Sequence, residues 1–382
     1  MITRIHAITM PRWGMTMTEG QVVKWLVEVG DTVAPGQEIL EIETEKIANV
    51  LESSAAGVLR KKLIAEQATA GVGSLLGVAA DHEVSDGEIE EFIAGFQVRH
   101  TAAGAVEAEA PAARTVTVPG GHINVMTLGE GSSIPAVPAV LIHGFGGDLN
   151  SWLFTQAELA GGRVVHALDL PAHGGSSMPS APMSLESLAI TVRQALESLG
   201  TVRAHFVAHS LGGVIALLLA RDTPALVASL SLISPAGLGS EINGQYIEEF
   251  LSAQRRPQMS KSLSALFADP SLVRREMVDD VLRFMRGDGV PAALRSLAGD
   301  AFPGGRQRLV LREVIASAAA PVQIIWGEED AIIPSTHSKD LAARAAVRLL
   351  PNVGHMAHLE KAGLVNEWLA QAMMAADSSE KR

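Results

Sequence analysis

Short runs of alternating apolar and polar residues fill the first 80 positions, and clusters of Gly, Pro, Asp and Ser separate them. This alternation is typical of half-buried strands joined by turns. One segment is repeated, because Thr32-Val33-x-x-Gly36-x-x-Ile39 recurs as Thr69-Ala70-x-x-Gly73-x-x-Leu76. We therefore predict a small all-β domain over residues 1–80, built from two similar units. The predicted strands cover 21–29, 38–43, 47–52, 58–64 and 74–79.

The pattern changes at about residue 115, where continuous apolar runs alternate with stretches of helical periodicity. Apolar strands separated by helices predict a mostly parallel sheet with helices on both faces. We therefore predict an α/β domain over residues 115–376, followed by a tail at 377–382. The predicted strands cover 139–142, 163–168, 204–208, 228–233, 321–326 and 346–350.

Residues 81–114 join the two patterns and predict an acidic helix followed by a linker. Ile89, Phe92, Ile93 and Phe96 share one face of a helix over 84–96. Residues 81–115 hold eight acidic residues against two Arg, and seven of the residues 101–115 are Ala. Such a composition has little apolar surface to bury and is typical of mobile connectors.

The composition excludes several classes of function. Of 382 residues, 47% are hydrophobic and 19% are charged, which is typical of a globular protein. The net charge of −12 argues against nucleic-acid binding, since no excess of basic residues is present to neutralise phosphates. The chain has no cysteine, so disulfides, thiolate metal sites and a Cys nucleophile are excluded, and no metal site is predicted. The first residues lack the apolar core of a secretory signal, so we expect a cytoplasmic protein without membrane contact.

A candidate modification site lies in Glu43-Thr44-Glu45-Lys46-Ile47, between the two repeated segments. A hairpin tip at this place would hold the Lys46 ammonium group far from the core, as an attachment site requires. The alternative interpretation is an ordinary exposed turn lysine.

Residues of about 5–80 resemble the lipoyl domains of 2-oxoacid and acetoin dehydrogenase complexes. The resemblance rests on the Lys46 segment and on Met10-Pro11, Gly30-Asp31 and Ser53-x-x-x-Gly57. It implies that a lipoate ligase attaches lipoate to Lys46. Biotin carriers share this fold but usually place Met on both sides of the lysine, so lipoate is favoured over biotin.

A candidate nucleophile lies in Ala208-His209-Ser210-Leu211-Gly212, between a predicted strand and a predicted helix. Small residues two positions before and after Ser210 fit the tight turn of a nucleophile elbow. The alternative is a helix N-cap, a position that serine also favours. The glycine-rich segment His143-Gly144-Phe145-Gly146-Gly147 favours the catalytic interpretation, because such a turn can aim a backbone N–H at a developing oxyanion. We predict Phe145 N–H and Leu211 N–H as the two donors.

A candidate acid and a candidate base follow Ser210 in the chain. Asp330 lies after a predicted strand, and His355 lies after the last one. His355 would take the Ser210 proton while Asp330 fixes the histidine tautomer. Alternative acids are Glu328 and Glu329, for which a solvated loop position is expected. For His358 we expect a structural role in the closing helix, and for His173 a turn followed by a helix cap.

The order Ser, Asp, His and the strand pattern of residues 115–376 resemble the α/β-hydrolase fold family. The insert at about 237–318 then resembles a helical lid over the site. Arg255, Arg256, Arg274 and Arg275 of this insert are candidates to meet coenzyme A phosphates, or they form a solvated charged face. The sequence does not decide between these two interpretations.

The order of the two domains resembles the dihydrolipoamide acetyltransferase component of bacterial acetoin dehydrogenase complexes. This resemblance implies transfer of an acetyl group from the lipoyl arm on Lys46 to coenzyme A. It also implies thiamine-dependent acetoin dehydrogenase subunits and a flavin-dependent dihydrolipoamide dehydrogenase as partners. The alternative is a serine hydrolase or thioesterase that carries a lipoyl domain, because one triad serves several reactions. The segment His82-x-x-x-Asp86-Gly87 matches a motif of conventional acyltransferase cores, but no core domain surrounds it, and we treat it as a chance match.

Overall fold

The chain forms two compact units, residues 1–112 and 113–382. The computed structural model describes residues 5–11, 19–43, 48–53, 55–103, 113–130 and 136–379. Each unit has its own hydrophobic core. Within the described residues, no helix combines the length and the apolar character needed to cross a bilayer.

The first unit contains two four-stranded antiparallel sheets, in the orders β1-β8-β6-β3 and β5-β4-β2-β7. The sequence repeat explains this symmetry. Its first copy supplies the edge strand β3 and the inner strand β4, and its second copy supplies the edge strand β7 and the inner strand β8. The strands are β1 (Ile5–Thr9), β2 (Glu19–Trp25), β3 (Thr32–Val33), β4 (Glu38–Glu43), β5 (Ala48–Glu52), β6 (Gly57–Lys62), β7 (Thr69–Gly71) and β8 (Leu75–Ala80).

Helix α1 (Asp86–Ala103) is longer than the helix that the sequence predicts, and it packs on the first unit. Its start is a capping box, because the Glu88 carboxylate accepts from Ser85 N–H at 2.8 Å and Ser85 Oγ accepts from Glu88 N–H at 3.3 Å. Ile89 and Ile93 are buried in a cluster with strand β8. Arg60 donates to Asp86 at 2.6 Å and fixes the first turn.

This packing places the start of the predicted connector inside the first compact unit. The sequence analysis assigned residues 81–114 to an acidic helix and linker because of their excess of acidic residues and their Ala-rich end. The apolar face of the helix, however, packs in one buried cluster with sheet residues such as Val78. The burial of this face outweighs the charge of the opposite face.

The second unit is built on one eight-stranded sheet in the order β16-β15-β14-β13-β11-β12-β10-β9. The six strands from β11 to β16 run parallel, and β10 is antiparallel to both β9 and β12. The sequence analysis did not predict the hairpin β9–β10. The strands are β9 (Arg114–Val118), β10 (Gly121–Leu128), β11 (Ala139–Ile142), β12 (Val165–Leu168), β13 (Ala204–His209), β14 (Val227–Ile233), β15 (Val322–Gly327) and β16 (Ala346–Leu350).

Helices surround this sheet, and four of the five α-helices between β14 and β15 form an insert. The parallel sheet and the helical insert confirm the predicted fold class. The insert consists of α5 (Gly244–Ser252), α6 (Arg256–Ser264), α7 (Arg275–Met285) and α8 (Val290–Ala301). The other helices are α2 (Gln156–Ala160), α3 (Leu185–Ser198), α4 (Leu211–Asp222), α9 (Arg312–Ser317), α10 (Ala357–Glu360) and α11 (Ala362–Ser379).

The central pair β13 and α4 anchors the second unit. Every residue of β13 is buried, and so is every residue from Leu211 to Leu219 in α4. A helix that is apolar on all sides is stable only where the protein surrounds it. The turn between β13 and α4 is therefore held from all directions.

Replacement of Ile89 by Ala tests whether α1 belongs to the first unit. Because Ile89 is only 1% exposed, its truncation should cost the first unit about 2–4 kcal/mol of unfolding free energy. Hydrogen exchange in the full chain should show loss of amide protection over residues 88–96. Glu91→Ala, on the exposed side of the same helix, is the control and should keep that protection. Equal protection in both variants would contradict the packed helix.

Candidate active site

Ser210 lies at the tight turn between β13 and α4. Its backbone has φ 51° and ψ −117°, a conformation that costs a residue with a side chain about 1–3 kcal/mol. Ser210 N–H donates to Ile233 O at 3.1 Å and Ser210 O accepts from Ala236 N–H at 2.9 Å, which holds the turn. Gly212 is required here, because a Cβ atom would lie 2.3 Å from Ile142 O. This is the geometry of a nucleophile elbow.

His355 follows β16 and is almost completely buried. Its Nδ1 atom lies 2.7 Å from Asp330 Oδ2. A carboxylate only accepts, so Nδ1 carries the proton and Nε2 is left as the basic nitrogen. His209, the residue before Ser210, donates from Nε2 to His355 O at 3.0 Å. The structure thus joins the candidate acid and base directly, and it joins the base to the end of β13, directly before Ser210.

The Ser210 hydroxyl itself makes no hydrogen bond to another residue of the described chain. Hydrogen bonds between a nucleophile and its base are often long in free enzymes and shorten when substrate binds. The fixed parts of the site are therefore the Ser210 turn and the Asp330–His355 pair.

The Asp330 side chain is fully buried and accepts four hydrogen bonds. Its Oδ1 atom accepts from Ile332 N–H at 2.8 Å and from Ile333 N–H at 2.9 Å. Its Oδ2 atom accepts from Trp326 Nε1–H at 2.9 Å and from His355. These donors satisfy both oxygens, as a buried charge requires. They also fix the orientation of the carboxylate toward His355.

The two alternative acids occupy other positions. Glu328 is exposed, and within the described chain no hydrogen bond or ion pair joins its side chain to His355. Glu329 accepts from Val353 N–H at 2.9 Å, and its own N–H donates to Val353 O at 3.0 Å. Glu329 therefore stabilises the loop that carries His355. Among the described residues, Asp330 is the only carboxylate that pairs with His355.

The glycine-rich turn after β11 packs directly on the Ser210 turn. A Cβ atom on Gly144 would lie 3.0 Å from Ser210 Cβ. Neither Phe145 N–H nor Leu211 N–H donates to another described residue, whereas the neighbouring Gly146 N–H donates to His173 Nε2 at 3.2 Å. Two backbone donors beside Ser210 are thus available to an oxyanion.

Two buried histidines support this turn, and the sequence analysis assigned a role here to neither. His173 Nδ1–H donates to Pro171 O at 2.9 Å, which leaves Nε2 to accept from Gly146. His143 Nδ1–H donates to Gly144 O at 2.7 Å, and its Nε2 accepts from Leu170 N–H at 3.0 Å. Burial lowers the pKa of His143 to about 4 and that of His173 to about 3. Both rings are therefore neutral at pH 7, as their acceptor roles require.

The expected turn at His173 is present, but no helix begins there. His173 N–H donates to Leu170 O at 2.9 Å, and the next helix, α3, begins at Leu185. The sequence contained a signal for these histidines, since each lies within a few residues of a strand end. The spacing of residues along the chain does not report burial, and burial is what makes His143 and His173 neutral acceptors.

His358 lies in α10, as the sequence analysis expected, and is completely buried. Its ring packs on His209 at 4.7 Å and on Trp152 at 4.8 Å between centroids. Burial lowers the pKa of His358 to about 3, and it lowers the pKa of His209 well below the usual value. The uncharged ring of His209 therefore packs between the rings of His355 and His358.

Aromatic residues of the lid reach the glycine-rich turn. The Phe145 ring meets Phe250 of α5 at 6.0 Å and Phe302 at 6.1 Å, both edge to face. Phe284 of α7 stacks on His173 at 5.9 Å. The lid is thus packed on the same turn that presents Phe145 N–H.

Lys46 lies outside the described residues. The strands that precede and follow it, β4 and β5, pair antiparallel, and Glu43 lies opposite Ala48 in the last described pair. Only four residues connect these two strands. The described residues contain no group of three or more His, Asp or Glu placed to hold a metal ion.

Comparison with family models gives one match in each unit. Residues 138–362 match the model of the alpha/beta hydrolase fold. Residues 6–78 match a model of biotin and lipoyl domains, described as "Biotin-requiring enzyme".

Two solved structures illustrate the fold of the second unit. A meta-cleavage product hydrolase from Pseudomonas fluorescens aligns with a TM-score of 0.62 at 23% identity, over 69% of this chain and 98% of that one. A carboxylesterase from Bacillus subtilis aligns with a TM-score of 0.61 at 18% identity, over 75% of this chain and 99% of that one. At such identities the likeness concerns the fold alone.

Two curated relatives extend over both units. The dihydrolipoyllysine-residue acetyltransferase component of the acetoin cleaving system of Pseudomonas putida is 43% identical over 96% of this chain and 98% of its own length. The corresponding component of Cupriavidus necator is 41% identical over 96% of each chain. Because nearly the whole length is shared, this chain belongs to the family of dihydrolipoyllysine-residue acetyltransferase components of acetoin cleaving systems, and its second unit has the α/β-hydrolase fold.

Proposed function

We propose that this protein transfers an acetyl group from a lipoyl arm on Lys46 to coenzyme A, through an acetyl ester on Ser210. One observation carries the proposal: the Asp330–His355 pair beside the strained Ser210 turn shares a chain with a unit of lipoyl type. A hydrolytic site alone needs no acyl carrier. The membership of the acetyltransferase family supports the same reaction.

The residues around Lys46 fit a lipoyl group. Glu43 and Ala48 are paired, so the connection that contains Lys46 begins and ends at the same end of the β4–β5 pair. Acidic residues Glu41 and Glu43 precede it in β4. When bound, the lipoyl arm supplies the acetyl group as a thioester.

In the first half of the proposed reaction, Ser210 Oγ attacks the thioester carbonyl while His355 Nε2 takes the Ser210 proton. Asp330 keeps Nδ1 protonated and stabilises the imidazolium that forms. Phe145 N–H and Leu211 N–H stabilise the oxyanion, and removal of one such donor typically costs a factor of about 10²–10³ in rate. The C–S bond breaks, and His355 returns the proton to the leaving sulfur.

In the second half, His355 takes the thiol proton of coenzyme A, and the sulfur attacks the acetyl group on Ser210. The ester bond breaks, and His355 returns the proton to Ser210 Oγ. Water in place of the thiol would give acetate, which is the serine hydrolase alternative. The lid that packs on the Phe145 turn limits the access of water to the acetyl ester on Ser210.

The family also bears on the partners. We infer that thiamine-dependent acetoin dehydrogenase subunits load the arm on Lys46 and that a flavin-dependent dihydrolipoamide dehydrogenase reoxidises it. A lipoate ligase would attach the arm. The two relatives from Pseudomonas putida and Cupriavidus necator are themselves components of acetoin cleaving systems, which supports an assembly of this kind.

The fate of the acetyl group tests the reaction. With free S-acetyl-dihydrolipoamide and coenzyme A, the wild type should form acetyl-CoA, and Ser210→Ala should lose about 10⁴-fold or more of the rate, because the attacking atom is gone. The surface variant Ser198→Ala is the control and should keep the wild-type rate. Wild-type transfer by Ser210→Ala would exclude the acyl-serine route, and serine-dependent acetate without acetyl-CoA would make the protein a hydrolase.

Replacement of Lys46 separates the carrier from the catalytic site. Lys46→Arg should prevent lipoylation, which mass spectrometry of the intact chain detects, and should abolish transfer from the protein-borne arm. Transfer from free S-acetyl-dihydrolipoamide should stay at the wild-type rate. Retained lipoylation in Lys46→Arg would place the attachment site elsewhere.

Replacement of Asp330 by Asn tests the acid. An amide at this position removes the charge that opposes the imidazolium and favours the wrong tautomer of His355, so kcat should fall about 10⁴-fold. Glu329→Gln, one residue earlier, keeps an oxygen that accepts from Val353 and should change kcat less than about threefold. The two rates are compared at saturating substrates. A larger loss in Glu329→Gln than in Asp330→Asn would reassign the acid.

A further inference from the structure

A cleft of about 480 Å³ opens on the lid between α6 and α7. The described residues that line it are Arg256, Asp279, Leu282, Arg283 and Arg286. The volume falls within the range of about 300–1,000 Å³ that is typical of small-molecule sites. Among the described residues of this lining, three guanidinium groups face one carboxylate, although the whole chain carries a net charge of −12.

The arginines of the cleft differ in how they are held. Arg256 donates to both oxygens of Asp279, at 2.5 and 2.9 Å, so the carboxylate orients one guanidinium toward α7. Arg283 pairs with Asp280 at 2.5 Å, and its side chain remains 75% exposed. The Arg286 guanidinium group forms no ion pair or hydrogen bond with any residue that the structure describes, and only its backbone N–H is bonded, to Arg283 O at 3.2 Å. At least one cation of the cleft is therefore available to an external anion.

The cleft and the catalytic turn share helix α7. Phe284 lies between Arg283 and Arg286 in the chain, and its ring stacks on His173. His173 in turn accepts from Gly146 N–H of the turn that presents Phe145. The helix that lines the cleft with arginines on one side therefore touches the support of the oxyanion donors on the other.

We propose that this cleft binds the phosphate groups of coenzyme A, an inference that rests on the proposed transferase function. Arginine suits this ligand, because its planar fork binds phosphate oxygens in pairs. Coenzyme A carries its phosphates at one end and its thiol at the end of an extended pantetheine arm. Phosphates held at α7 leave that arm to run along the helix toward the catalytic turn.

The assignment refines what the sequence suggested about the lid. Of the four arginines singled out as candidates for coenzyme A, only Arg256 lines the cleft. Arg275, the first residue of α7, lies outside the described lining, and its Nε atom is 3.9 Å from Asp279 Oδ2. Arg283 and Arg286 entered the site through the folding of α7 against α6, which the sequence did not reveal.

Steady-state kinetics with two acceptors tests the proposal. Free S-acetyl-dihydrolipoamide is the donor, and coenzyme A is compared with pantetheine, which has the same thiol arm and no phosphate. The double variant Arg283→Ala/Arg286→Ala should raise the KM for coenzyme A about tenfold or more, because charge-assisted hydrogen bonds are lost. The kcat at saturating coenzyme A and both constants for pantetheine should stay at wild-type values. The wild-type KM for coenzyme A should also rise with ionic strength, and that for pantetheine should not.

The control variant is Arg193→Ala/Arg221→Ala, which also removes two positive charges, but from surface ion pairs on α3 and α4. It should leave the KM for coenzyme A unchanged. Three results would each overturn the proposal. The KM for coenzyme A could stay unchanged in the cleft variant, it could rise equally in both double variants, or the KM for pantetheine could rise in parallel. A higher KM only for donor carried on the lipoyl unit would also overturn the proposal, since the cleft would then dock the acidic carrier.

A binding measurement separates this inference from the proposed function. Calorimetry with coenzyme A on Ser210→Ala reports the Kd without turnover. A Kd that rises about tenfold in Ser210→Ala/Arg283→Ala/Arg286→Ala supports the cleft even if the wild type forms no acetyl-CoA. An unchanged Kd overturns the cleft even if transfer is serine-dependent.

Discussion

The side chain of Asp330 is fully buried, so its negative charge has to be matched by donors that the fold brings to it. Two backbone amides, one indole and one imidazole supply them, from β15, the loop after it and the loop after β16. Each donor also fixes the carboxylate in space. The position of His355 therefore depends on the register of the parallel strands β15 and β16, and the geometry of the candidate site depends on the folding of the sheet.

Burial also determines the charge of the four histidines that surround the candidate site. His143, His173, His209 and His358 are buried, and burial lowers their pKa values so that none adds a positive charge next to His355 at pH 7. Three of them hold backbone groups: His143 and His173 fix the glycine-rich turn, and His209 binds the carbonyl of His355. Rings of this kind position the candidate site, and His355 is the residue that we propose for proton transfer.

The lid connects this machinery to the choice between thiol and water. Its aromatic residues pack on the turn that carries Phe145, and its helix α7 carries a basic cleft on the other side. An acceptor bound through its phosphates would reach Ser210 at a high effective concentration, whereas water gains nothing from the cleft. A fold that elsewhere supports hydrolysis can in this way favour transfer without any change in the triad.

Much of this protein follows from the sequence alone. The order of strands and helices, the repeat in the first unit, and the residues Ser210, Asp330 and His355 are local patterns, because chain order and turn chemistry fix which residues follow strand ends. The hairpin β9–β10, the packing of Ile89 on β8, the neutral state of His173 and the meeting of Arg256 with Arg283 were decided only by tertiary structure. Each depends on burial or on contact between distant segments, and neither quantity is encoded in the spacing of residues along the chain.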